Sequence, residues 1–146
     1  MTVRRQRRRC QRGSSSVEAA IVVPVLLLFL LVVVAGARIA LAQQAVTGAA
    51  EAGARAASLE RTETAAVSAA VAAVEQDLAG AGLACTARTA VSGQWQLALG
   101  QPGTARVTVT CRVRLADLMV PGMPGEIVIE RTAESPIDRH RARTGG

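Results

Sequence analysis

Few side chains in this sequence are suited to bond-making chemistry, and their spacing argues against the familiar sites. His140 is the only histidine and there is no tyrosine, so acid–base or nucleophilic work would fall to 11 acidic residues and three cysteines. Cys10, Cys85 and Cys111 lie far apart, whereas zinc sites draw on clustered Cys and His. The expectation is no enzyme, no metal, no cofactor and no small-molecule substrate. Two pieces of chemistry remain. Cleavage after Gly13 would leave Ser14 with an α-amine, largely cationic at neutral pH, four residues ahead of Glu18. Oxidation would join Cys85 to Cys111 in an oxidising compartment, with two buried free thiols as the alternative.

The elements that must position these groups begin with charge. All 17 basic residues are Arg, and Arg4, Arg5, Arg7, Arg8, Arg9 and Arg12 precede the first acid. From residue 13 onward Arg and acids balance, so the formal charge of +6 is a short N-terminal block. A block of this kind, with only Phe29 and Trp95 as aromatics, argues against nucleic acid as a partner. Between Glu18 and Arg38 run 19 uncharged residues, Ala19 to Ala37. As a helix they span roughly 28 Å, the thickness of a bilayer's hydrocarbon. The alternative, a buried core helix, needs a domain large enough to surround it. With six Arg before the span and Arg38 alone just after it, the positive-inside rule puts the N-terminus in the cytoplasm and the residues beyond Arg38 outside. The Arg block then holds topology against anionic headgroups of the lipid bilayer.

Glu18 sits at the mouth of the apolar helix, where a carboxylate needs a partner. The Ser14 amine is one, and in a stacked assembly it could belong to a neighbouring subunit. A capping box is the alternative, with Ser15 at the N-cap and Glu18 at the third helical position. Ala40, Leu41 and Ala42 also form an A-x-A pattern that a signal peptidase could cut before Gln43, releasing a secreted binding domain. An uncleaved single-pass anchor is a third possibility.

The order of Arg-rich leader, Gly13, four small or apolar residues, Glu18 and a long apolar helix containing Pro24 resembles type IV prepilins, and among them TadE-like proteins of tight-adherence (Tad/Flp) pilus systems. The resemblance is fairly specific over the first 57 residues, down to the small-residue stretch Ala50 to Ala57, and looser beyond them, as in the terminal Ser135 to Arg141. The resemblance implies a prepilin peptidase that cuts between Gly13 and Ser14 on the cytoplasmic side, and Glu18 as the fifth mature residue. It further implies other pilin subunits and the pilus assembly machinery as partners, and a place at the cell surface after assembly. Ala19 stands where main filament subunits tend to carry Tyr, which points to a minor pilin or pseudopilin.

Beyond Arg38 a helical period places Ala42, Ala45, Val46, Ala49, Gly53 and Ala56 on one side, with Gln43, Thr47, Glu51, Arg55 and Ser58 largely opposite. Glu51 and Arg55 are spaced to pair. A second helix is expected from Val67, Val71, Val74 and Leu78, ended by Gly80 and Gly82. The period then changes to two. Trp95, Leu97 and Leu99 share one strand face, and Val107, Val109, Cys111, Val113 and Leu115 another, joined by a turn at Gly100 to Gly103. A last short strand is expected around Ile127 to Arg131, and Pro136 starts a polar tail. Arg112 and Arg114 read as a soluble edge or a partner contact.

The fold class expected is α+β, pilin-like: a transmembrane helix continuing into an extracytoplasmic helical region packed on a small antiparallel sheet. The layout is a basic leader at 1–13, a membrane segment at 14–38, a helical region at 39–83, a sheet region at 84–133 and a polar tail at 134–146.

Overall fold

The computed structural model describes residues 14–98, 100–118 and 124–138. Gly13, Cys10, Leu99, His140 and the rest of the leader and tail lie outside them. Contacts divide the chain into two units, Met1–Gly36 and Ala37–Gly146. The elements are α1 (Ser14–Leu59), α2 (Glu63–Gly80), β1 (Thr86–Gly93), β2 (Gly103–Arg114), α3 (Leu115–Leu118) and β3 (Glu126–Ile137). This is an α+β chain with a long apolar N-terminal helix and a three-stranded antiparallel sheet in the order β1-β2-β3.

Runs of Ala and Leu, which lose little entropy on becoming helical, account for α1 and α2. The break between them falls where Thr62 caps α2, its hydroxyl accepting from the Ala65 amide at 3.3 Å. Glu63 adds a favourable charge in the first turn. At the other end Leu83 N donates to Leu78 O (3.1 Å) and Gly82 N to Ala79 O (3.0 Å). Gly82 takes φ +65°, completing a Schellman closure that only a residue at ease in the left-handed region makes cheaply.

Both helices of the second unit contribute to its core. Ala42, Val46, Ala49, Ala50, Ala54 and Ala57 of α1 are buried, as are Ala66, Ala70, Val74 and Leu78 of α2. The α2 face is thus turned from the one expected: Val67 is exposed and Val71 half-buried, while Ala66 and Ala70 point inward. Close approach explains the choice. A Cβ on Gly53 would lie 2.8 Å from Val74 Cγ2 and 3.2 Å from Val107 Cγ1. At such separation only small side chains fit between the backbones. Gly53→Ala should therefore destabilise this unit by about 1 to 3 kcal/mol, although helix propensity alone would stabilise it by up to about 1 kcal/mol. Thermal unfolding of the full chain in detergent reads the sign; a rise in midpoint would show that packing does not decide it.

Strand β2 is central, and its alternation is nearly strict: Ala105, Val107, Val109, Cys111 and Val113 are buried, with Arg106, Arg112 and Arg114 exposed. It pairs Val107 with Val91 and Ala133, and Cys111 with Ala87 and Ile129. Four departures from the sequence expectation are instructive. The first hairpin strand is Thr86–Gly93, and Trp95 lies in the turn after it, buried beside Gly93, where a Cβ would meet the indole at 2.6 Å. Leu115 leaves the strand and opens α3. Strand β3 runs on through Ser135 and Pro136 to Ile137 instead of stopping near Arg131. Pro136 is tolerated because β3 is an edge strand and can lack a ladder donor. Finally, Ser58 is buried and not solvent-facing, its hydroxyl 3.0 Å from that of Ser135.

The outward sheet face is a cross-strand ladder. Arg106 pairs with Glu134, the Thr108 and Thr132 hydroxyls are 2.9 Å apart, and Arg112 Nη1 reaches Glu126 Oε1 at 3.0 Å. Arg114 Nε meets Asp117 Oδ2 at 3.2 Å. Arg112 and Arg114 thus belong to a central strand and not to an edge, and their charges are answered within the chain. These pairs are about half exposed, worth at most about 1 kcal/mol each.

Candidate functional site

The site the sequence points to is the first part of α1. The helix is described from Ser14 onward, and Ser15 lies inside it, not at an N-cap. The capping-box alternative needs Ser15 at the N-cap, whereas Ser14 before it is already helical. Glu18 is exposed. Among the described residues no ion pair involves it.

From Ile21 to Val34 every large apolar side chain is exposed, Phe29 by 68%. At about 1.5 to 3 kcal/mol for each side chain of this size moved out of water, that surface strongly favours an apolar surrounding. Among the described residues none covers it: the most apolar stretch of α1 has mean hydropathy 3.0 and is 0% buried. The run is therefore not the core helix of this domain. It is long and apolar enough to cross a membrane. Pro24 lies inside α1 and deprives the Ala20 carbonyl of its helical donor, a defect that membrane helices tolerate.

Past Ala37 α1 changes character. Arg38 is exposed, Ile39 packs against the core, and Ala42 is 3% exposed within it. Glu51 and Arg55 are 3.7 Å apart on the open face. Arg131 Nη2 donates to Gln43 Oε1 at 3.2 Å, tying β3 to the helix.

Cys85, immediately before β1, is joined to Cys111 of β2 by a disulfide with a Cα separation of 5.7 Å. The register explains the approach: Ala87 stands opposite Cys111, and Cys85 is its neighbour on the same face, two residues back. Among the described residues no group of three or more His, Cys, Asp or Glu is placed to hold a metal ion. Sequence reasoning did not foresee the buried Ser58–Ser135 hydroxyl pair, whose members are 77 residues apart; only the fold brings them together.

Comparison with known proteins adds one finding. Residues 13–55 match the family described as TadE-like protein, a span that includes Gly13, Ser14, Glu18, Pro24 and the whole apolar run. No curated protein and no solved structure matches the chain. The match and the exposed apolar helix together fit a membrane protein related to Tad pili.

Proposed function

We propose that this chain, TadE-like over residues 13–55, is a minor pilin or pseudopilin-like membrane subunit in the assembly of a tight-adherence pilus. A prepilin peptidase cuts it after Gly13. The mature protein then spans the cell membrane once, with Ser14 on the cytoplasmic side and the α+β unit outside, and reaches the cell surface on assembly. The role is structural, without catalysis, cofactor or nucleic acid. Its partners are lipid, the peptidase, sister pilin subunits and the assembly machinery.

The observation that supports this reading is the family match over residues 13–55, which takes in Gly13, Ser14 and Glu18 together with the uncovered apolar run behind them. In the membrane, the apolar helix stores the subunit; in the assembly, it packs on neighbouring helices while Glu18 neutralises a mature N-terminus and sets axial register. Release by a cut after Ala42 fits less well, because that bond lies within α1 and the cut would remove Ala42 and Ile39 from the core.

Mass spectrometry of the N-terminal residue in membrane and supernatant fractions of the native host separates the readings. Ser14 in the membrane fraction is expected. Gln43 in the supernatant would replace the pilin reading with a secreted domain, and an intact leader would leave a plain anchor.

A further inference from the structure

The three-stranded sheet has β1 and β3 at its two edges, and their charges are treated differently from those of its centre. Every Arg of β2 has an acidic partner. Among the described residues no ion pair involves Arg88 of β1 or Glu130 of β3, and both side chains are exposed. The two share one row of the outward face with Thr110 between them, whose hydroxyl donates to Glu130 Oε2 at 3.3 Å. Their backbones are two strand spacings apart, about 10 Å. The edges are also less covered than the centre. The core-facing Ala87, Thr89 and Val91 of β1 are half-buried, whereas those of β2 are buried, and Val128 on the outward face of β3 is 55% exposed.

We infer that two copies of this chain join edge to edge, β1 of one continuing the sheet beyond β3 of the other, with Arg88 of the first beside Glu130 of the second. Strands β1 and β3 run in the same direction, since each is antiparallel to β2, so a copy added with its faces matched pairs in parallel. Main-chain hydrogen bonds across unpaired edges supply the attraction, and the side chains fix the register. With Arg88 beside Glu130, Ala87 comes beside Ile129 on the core face and polar Thr89 beside Arg131. A slip of two residues either way sets Arg88 against Val128 or Thr132 instead, and a slip of four sets it against a Glu that Arg106 or Arg112 already holds. Pro136, which has no amide to donate, lies beyond the positions that the eight residues of β1 reach. The joint is head-to-tail and leaves one β1 and one β3 edge open, so further copies can add. It needs neither the cut after Gly13 nor the membrane span.

Sedimentation of the full chain in detergent tests the joint. The wild-type chain is expected to form dimers and larger species as its concentration rises. Arg88→Glu and Glu130→Arg each bring like charges together at the joint and should raise its dissociation constant about tenfold. The double variant Arg88→Glu/Glu130→Arg exchanges the two charges and should associate like wild type. An equal mixture of the two single variants should also recover association, because every joint between unlike copies then brings opposite charges together; misfolded chains would not recover on mixing. A wild-type chain that stays monomeric overturns the inference. So does association that the single variants leave unchanged, which would belong to the apolar helices alone, and so does a loss that neither the double variant nor the mixture restores.

Discussion

Replacing both Cys85 and Cys111 by Ala should destabilise the second unit by about 3 to 4 kcal/mol, the loop-closure entropy of a cross-link between residues 26 apart. For a domain of about 100 residues this lowers the unfolding midpoint by roughly 15 to 30 °C. The loss weighs heavily because much of the core is made of small side chains. Its largest fully buried members are Val46, Val74, Val107, Val109, Val113 and Cys111, and each buried Val contributes less than Leu or Phe would. A small domain of this composition depends on its cross-link. Trp95 gives a clean readout, since it is the only Trp and is 4% exposed; its fluorescence follows this unit and not the apolar helix. Reductant added to the wild-type chain should reproduce the shift, and an unchanged midpoint in both experiments would refute it. A bridge of this kind forms in an oxidising compartment, which the proposed placement of the second unit outside the cytoplasm would supply.

The parts of the fold that the sequence reveals are those set by local repetition. The uncharged run, the Glu51–Arg55 pair and the nearly strict alternation of β2 each depend on residues a few positions apart, and each is found where the pattern puts it. Patterns misled where tertiary contact chose between similar options. Val67 and Val71 are more apolar than Ala66 and Ala70, yet the Ala pair faces inward because α1 comes so close at Gly53. Trp95 and Leu97 alternate like a strand, but the indole needs the space that Gly93 leaves open, which fixes it in a turn. Pro136 reads as a breaker until β3 is known to be an edge. The candidate site divides in the same way. Gly13, Ser14, Glu18 and the apolar helix are contiguous and legible, whereas the Ser58–Ser135 hydroxyl pair joins residues 77 apart that only folding brings together.

Glu18→Ala should leave membrane insertion intact and lower incorporation into the assembly by about tenfold or more, the effect of losing about 1.4 kcal/mol or more per subunit contact. The two readouts separate because the carboxylate opposes one step and serves the other. An ionised carboxylate costs about 2.5 to 3.5 kcal/mol at a bilayer's centre and less at the edge of the apolar run, where Glu18 stands, so its removal does not impair insertion. In an assembly of packed apolar helices the same carboxylate and a cationic Ser14 amine would be drawn out of water together, where leaving one without the other is strongly unfavourable. Glu18→Gln keeps the size and the hydrogen-bonding oxygen but removes the charge. If neutralisation of the amine is the role, Gln fails as Ala does; if Glu18 only caps amides, Gln restores incorporation. Carbonate-resistant membrane fraction and the amount recovered in sheared surface material measure the two steps, and incorporation of Glu18→Ala at the wild-type level would remove the charge pair from the mechanism.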